Sequence, residues 1–435
     1  MSIQDVLQLE QPLKEGGIRS VNFFNGRLLA GRDLSREQAA RREADARLGL
    51  GLGDGVAFGL EVDRDAELSR TDFPVLRVTA GLAVNRRGQT LRLTADTSVA
   101  VTRRFDAADT ECVFGDCTPI AAGRYISGAG VYLLTVAPAE TAEGTAPTSG
   151  LDPANVRCNT DATVEGVRFR LHTVRQQDYA SLGPGQPWFR NALAYRCFGD
   201  DVRPRWMAGL LAAEPRGDGL LDGLRGTTLT DRDVPLALLF VTGAANVEFI
   251  DVWAVRRPLS RLSPSAWESL VDGRRPAVGQ AMLMQFQRQV MAGAPPDGNL
   301  APMAARTHFR FLPPAGVIPV PEESDATDAA ATRFFAGMTF RRPAFINAAR
   351  LEGLLRESLV HPPIDTQGAE MVWLYRVREN RMAIDFAGAG ARPGSWLVFA
   401  SGHLPYRADA QYDLSSWNYA NYSAPPTWAH THQGG

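Results

Sequence analysis

The sequence predicts an α+β, β-rich fold: an N-terminal β-sandwich or open barrel region, a helical insert, and a smaller α+β C-terminal unit. Three observations predict it. From Phe58 onward apolar residues recur with period two, at Leu60 and Val62, Leu76 and Val78, then Leu82 and Val84. The longest purely apolar run, Val234 to Val241, reads as a strand buried on both faces. Helical spacing returns later, at Ala281, Met284, Phe286, Val290 and Met291, and again at Leu351, Leu354, Leu355 and Leu359. With 41 glycines and 28 prolines, about 16% of the chain, composition also leans toward short strands and turns.

The elements follow in order. Asn25-Gly26 is a pair suited to positive φ, so the chain reverses there, and in an extended segment Phe23 and Phe24 point to opposite sides. Ser35-Arg36-Glu37-Gln38 has the form of a capping box, with Asp33 an alternative cap, and predicts a helix to about Leu48. Arg36, Arg41, Arg42, Glu43, Asp45 and Arg47 make that helix polar on most sides, and Gly49, Gly51, Gly53 and Gly55 end it. A hairpin or meander comes next, turning at Arg86-Arg87-Gly88 and returning through Leu91 and Leu93. Val131–Val136 is a strand, Ala137 to about Ala162 a polar loop, and Val164–Val174 a strand with Val167, Phe169 and Leu171 on one face. A helix covers Ala277 to Met291, its methionines read mainly as core, and Ala294-Pro295-Pro296-Asp297-Gly298 stops it. Leu312 to Pro321 is a proline-fixed segment followed by an acidic, alanine-rich stretch. A helix near Asn347–Val360 and strands at Met371–Val377 and Trp396–Ala400 close the chain.

A chain of 435 residues exceeds one ordinary core. The expected division is a docking arm and turn over 1–34, a β-rich domain with its leading helix over 35–257, and a helical segment over 258–312. A Pro-rich and acidic linker over 313–332 then leads to an α+β domain over 333–435. The formal charge of −2 argues against nucleic-acid binding. Lys14 is the single lysine, so 45 of the 46 basic residues are arginine. GC-rich coding gives such a bias, and arginine also suits planar, partly buried ion pairs. No run has signal-peptide character or the ~20 apolar residues of a membrane span, so synthesis in the cytoplasm is expected.

No catalytic constellation declares itself: HExxH, GxSxG and Walker motifs are absent. Cys112 and Cys117 have half-site spacing, and Cys158 and Cys197 would complete four zinc ligands; reduced thiols and a disulfide fit the same four residues. His430 and His432 sit in a glycine-ended tail. Asp63, Asp65 and Glu67, like Asp231 and Asp233, read as solvated strand ends. Trp417, Tyr419 and Tyr422, set among Asn418 and Asn421, form an aromatic cluster suited to a sugar platform, a protein interface or core packing. No cofactor is implied. Phe23, Phe24, Asn25 and Arg27 are candidate partner-binding residues, a phenylalanine filling a partner pocket and Arg27 pairing bidentately or capping carbonyls. The competing reading locks this turn onto the chain's own β-domain.

Phe24-Asn25-Gly26-Arg27-Leu28-Leu29, followed by Asp33 and a helix, resembles a phrase of proteins encoded beside contractile, phage-tail-like injection systems. Gly59-Leu60-Glu61-Val62 with Ala80–Val84, Cys158 with Val164–Leu171, and Leu312–Pro319 with Phe399–Tyr406 are similar to the same group. The resemblance implies a structural, non-enzymatic baseplate or tail-accessory subunit whose partners are other subunits of the particle. The absence of fibre repeats and of tube-like or sheath-like patterns argues against the main polymer subunits. The alternative is a surface-binding module of such a particle, recognising carbohydrate or a cell-surface receptor, or a glycan-active protein.

Overall fold

A computed structural model describes residues 15–69, 74–101, 129–148, 157–199, 219–225, 227–243, 246–261, 274–293, 303–320, 324–341, 343–378, 396–402 and 404. The fold is mixed α+β, built from several sheets, with no closed barrel among the described residues.

Helix α1 (Gly31–Leu52) leads into six short strands: β1 (Gly55–Gly59), β2 (Val62–Arg64), β3 (Val75–Val78), β4 (Gly81–Val84), β5 (Thr90–Leu93) and β6 (Thr97–Ala100). They form two antiparallel three-stranded sheets, β1-β4-β5 and β2-β3-β6. The period-two pattern buries Leu60, Val62, Leu76, Val78, Val84 and Leu91, while Leu82 is half-buried and Ala83 takes the inner place beside Val84. The β4–β5 turn is held by Asn85, whose Oδ1 accepts from the amides of Arg87 and Gln89, and by Gly88 at φ +76°. Asp65 departs from the solvated strand end expected of it. It is buried and accepts from the Glu67 and Leu68 amides and the Ser98 hydroxyl, which close the turn after β2.

Strands β7 (Gly130–Thr148), β8 (Arg157–Thr173), β9 (Val234–Thr242) and β10 (Asn246–Asp251) make an antiparallel sheet in the order β10-β9-β7-β8. As its composition predicts, β9 is buried almost throughout. Of the polar loop expected over 137–162, the described residues 137–148 and 157–162 instead belong to the outer part of the β7–β8 pair, and 149–156 lie outside the described residues. Strand β9 pairs with β7 only from Gly130 to Val136, and beyond that β7 and β8 continue alone to Thr148 and Arg157. The Ala-, Thr- and Glu-rich sequence of this arm hides its strands because both faces meet water, so no apolar alternation is required.

Helices α2 (Gln176–Tyr179), α3 (Phe189–Phe198) and α4 (Leu220–Arg225) pack into the same core as these sheets. Helix α5 (Arg274–Gly293) spans two cores. Val278, Ala281 and Met282 belong to the first, and Phe286 and Val290, one and two turns further on, to a second. Helix α6 (Ala305–His308), β11 (Phe311–Leu312), β12 (Ala315–Pro319) and α7 (Ser324–Phe334) follow, then β13 (Thr339–Phe340), β14 (Ala344–Asn347), α8 (Ala348–Ser358) and β15 (Ile364–Asp365). Strands β16 (Met371–Arg378) and β17 (Trp396–Ser401) complete the sheet β12-β17-β16, on whose outer edge β13 and β14 pair in parallel with successive parts of β16. One face of that sheet carries Ile318, Val372, Leu374, Leu397 and Phe399 into the second core; the other places Tyr375, Val398 and Ala400 against Leu354 of α8. Residues 313–332, expected as a linker, thus include an edge strand and most of a helix that buries Ala331 and Phe334. Pro319 is tolerated because it ends β12, at the sheet's edge.

Candidate docking site

The N-terminal segment is fixed by α1. Arg47 Nη2 donates to the Gly16 carbonyl (2.6 Å), Glu37 Oε2 accepts from the Val21 amide (3.0 Å), and Asp33 Oδ2 accepts from the Ala30 amide (3.1 Å). Residues 16–30 therefore run back along the helix toward its N-terminus. The helix begins four residues before Ser35, so the expected capping box is displaced: Ser35 donates to the Gly31 carbonyl inside the helix, and Asp33 satisfies the N-terminus from the first turn. Hydrogen bonds from the Ala30 amide and then from Arg27 hold the Asp33 carboxyl below the usual carboxylate range.

The chain reverses at Asn25-Gly26, where the Arg27 amide donates to the Phe24 carbonyl (3.1 Å). Gly26 alone takes positive φ, +91°, while Asn25 does not, the pattern of a type II turn. Arg27 locks it from one side, donating to the Asn22 carbonyl (2.6 Å) and to Asp33 Oδ1 (2.8 Å), with its guanidinium 6.0 Å from the centre of the Phe24 ring. Val21 is buried, and the side chains beyond it turn outward: Phe23 is 52% exposed, Phe24 63%, Leu28 94% and Leu29 53%.

Helix α1 extends this surface. Only Ala40 and Gly49 of its 22 residues are buried. It rests on the body at its C-terminal end, where a Cβ on Gly49 would lie 2.0 Å from the Gly88 carbonyl oxygen and Gly53 ends the helix at φ +102°. Midway, Arg42 reaches Glu140 (3.9 Å) and Glu165 (3.5 Å), which oppose one another across the β7–β8 arm. Like charges directly opposite repel, and Arg42 offsets that repulsion. Among the described residues fourteen large hydrophobics are exposed, and nine of them fall between Phe23 and Phe58. Phe23, Phe24, Leu28, Leu29 and Leu34 gather at the turn and the start of α1, while Leu48, Leu50, Leu52 and Phe58 lie at and beyond its other end.

Of the other candidates, Cys112, Cys117, Trp417, Tyr419, Tyr422, His430 and His432 lie outside the described residues. Cys158 is exposed on the arm opposite Pro147, whereas Cys197 is buried in α3. Among the described residues no group of three or more His, Cys, Asp or Glu side chains could hold a metal, and no helix is long and apolar enough to cross a membrane.

Sequence reasoning missed two buried polar networks. Asp233, read as a solvated strand end, is buried. It accepts from Arg170 (2.8 Å), the Thr230 hydroxyl (2.6 Å) and amide (2.9 Å), and Thr135 Oγ1 (3.2 Å). With its hydroxyl proton donated to Asp233, Thr135 accepts from His172 Nε2 (3.1 Å). Burial works against the Asp233 charge, but the neighbouring His172 ring, hydrogen bonds from Thr230 and the Arg170 charge hold the carboxyl well below its usual range. The second network joins the two cores. Asn191 Oδ1 on α3 accepts from the Arg310 (2.8 Å) and Phe311 (2.9 Å) amides, and Gln285 of α5 donates to Asp251 (2.9 Å), which Arg190 also meets (2.8 Å). The signal for it was a lone Asn in the otherwise apolar run Asn191-Ala192-Leu193-Ala194-Tyr195.

No family model matches this chain, and no curated protein matches it. Among solved structures it is similar to one described as "Crystal structure of TssK", at 12% identity over 36% of this chain and 35% of that chain, with a TM-score of 0.20. The chain spans about a third of the length of the structure it matches.

Proposed function

We propose that this chain is a non-enzymatic structural subunit of a contractile, phage-tail-like injection particle, at the baseplate or an accessory position on the tail. Residues 18–34, with the outward face of α1, are its docking element onto a neighbouring subunit. The observation that carries this reading is the grouping of exposed Phe23, Phe24, Leu28, Leu29 and Leu34 at the turn and the start of α1. Hydrophobic residues scattered singly over a surface are ordinary, whereas their grouping marks an interaction site. The turn also has the preorganisation that docking rewards. Arg27 fixes the backbone through Asn22 and Asp33, so little conformational freedom is left for Phe23 and Phe24 to lose on binding. The charged helix beside it supplies the polar rim of such an interface. The resemblance of Phe24–Leu29 to proteins encoded beside tail-like systems names the kind of particle.

The test is incorporation. Particles purified from a producing strain that carries Phe24→Ala with Leu28→Ala are expected to lack the subunit, while the free protein accumulates folded. Normal incorporation of that double variant would overturn the assignment of the docking element.

A further inference from the structure

A pocket of about 480 Å³ opens beside α3, and none of its described lining residues belongs to the docking element. Trp188, Ala192 and Tyr195 line it at helical spacing, Arg196 joins them, and Arg310 and Phe311 close it from β11 and the residue before it. The wall is aromatic and ordered. The Tyr195 ring stacks on Phe311 (centroids 5.1 Å apart, planes at 27°) and meets Phe198 edge-on at 5.0 Å, and the Arg310 guanidinium lies 4.6 Å from the centre of the Phe311 ring.

The charge of the described lining has one sign. Among the described lining residues there are two arginines and no carboxylate. Arg310 is engaged by Asp365, whereas Arg196 is exposed at the rim with no ion pair among the described residues. Buried in the wall, the Tyr195 hydroxyl has no hydrogen-bond partner among the described residues. Burial raises its pKa well above the ordinary phenol value, so it remains a neutral donor. Concave sites of this size, mostly apolar and aromatic with a few placed polar groups, are those that take small molecules. Flat aromatic walls favour a planar ring, and an unpaired guanidinium favours an anion that accepts two parallel N–H bonds.

We propose that this pocket binds a small planar aromatic anion, its ring against the Trp188–Tyr195–Phe311 wall and its carboxylate or phosphate on Arg196. A free aromatic acid and a nucleoside monophosphate share this chemistry. The role is separate from assembly and does not depend on the docking element.

Calorimetric titration of the full chain with indole-3-carboxylate and AMP, each beside its neutral counterpart indole or adenosine, tests it. One of the anions is expected to bind with one-to-one stoichiometry, at least about tenfold tighter than its neutral partner. The anion that binds identifies the source. Arg196→Gln is expected to abolish the preference for the anion and Arg196→Lys to keep part of it, both with an unchanged melting temperature because Arg196 is exposed and has no ion pair among the described residues. Absence of saturable binding by either anion up to about 5 mM, a constant about three orders of magnitude weaker than micromolar, would overturn the proposal. So would equal affinity for acid and neutral ring, or an Arg196→Gln variant that binds as the native chain does.

Discussion

Removing the exposed side chains of the docking element should leave the fold almost untouched, and the structure sets the size of the effect. Full burial of a Phe or Leu side chain contributes about 1.5–3 kcal/mol. Phe24 is 63% exposed, so roughly a third of that, about 0.5–1 kcal/mol, is at stake in Phe24→Ala. Leu28 is 94% exposed and adds about 0.1 kcal/mol. Losing the distant Arg27–Phe24 ring contact, at a solvent-exposed site, removes about 0.5 kcal/mol more. The double variant is therefore expected to lose about 1–1.5 kcal/mol, a fall of no more than about 3 °C in a protein of this size. Phe309→Ala is the control. That ring is fully buried in the second core against Phe286 and Phe334, and its loss should cost about 3–5 kcal/mol. Thermal unfolding followed by circular dichroism, with urea titration of both variants, compares them directly. A double variant as unstable as Phe309→Ala would mean that the turn locks the N-terminus onto its own body, and the docking argument would fail.

Four further outcomes follow from the same contacts. Asn191→Ala strips the acceptor from two part-buried backbone amides, so urea denaturation should show a loss of about 1–3 kcal/mol; no loss would mean that the two cores do not depend on this joint. Asp233 has a depressed folded pKa, so its stabilisation is full above the unfolded carboxylate value of about 4 and is lost as pH falls toward the folded value. Asp233→Asn should therefore be less stable at pH 7 and show a flatter decline below pH 4 than the native chain; parallel curves would contradict the network. Gly88→Ala would place a Cβ 1.9 Å from the Ala46 carbonyl oxygen at a left-handed position, and should destabilise by at least about 2 kcal/mol. Gly51→Ala meets nothing within 4 Å inside α1 and should stabilise by about 0.5–1 kcal/mol; a loss there would place α1 against something that the contacts do not include.

Much of the fold was legible where burial imposes a period. The alternation at Leu60, Val62, Leu76 and Val78, the apolar run of β9, and the leucines of α8 each correspond to the element they predicted, because one face or both must leave water. The strand residues at 137–148 and 157–162 were illegible for the opposite reason. Their backbone bonds are satisfied by the partner strand alone, and Thr, Ala and Glu facing water on both sides carry no period. The proline-rich stretch before Glu322 misled because prolines at a strand's end look, in sequence, like prolines in a linker. Helix α3 gave no stripe because eight of its ten residues are buried on every side. The Asn25-Gly26 reversal was readable, since the turn chemistry is local, but alternation along an extended segment gave opposite sides for Phe23 and Phe24, and both are exposed. What fixes Arg27 was only half readable: Asp33 lies six residues on, but its role at the helix start depends on α1 beginning at Gly31 rather than at Ser35.

The central claim is membership of an injection particle, and gentle purification of the tagged chain from its native producer tests it most directly. Proteomics and negative-stain microscopy of that material should find sheath and tube proteins on tail-like particles that carry the chain. Recovery of the chain as a discrete protein, without such partners, would contradict the account.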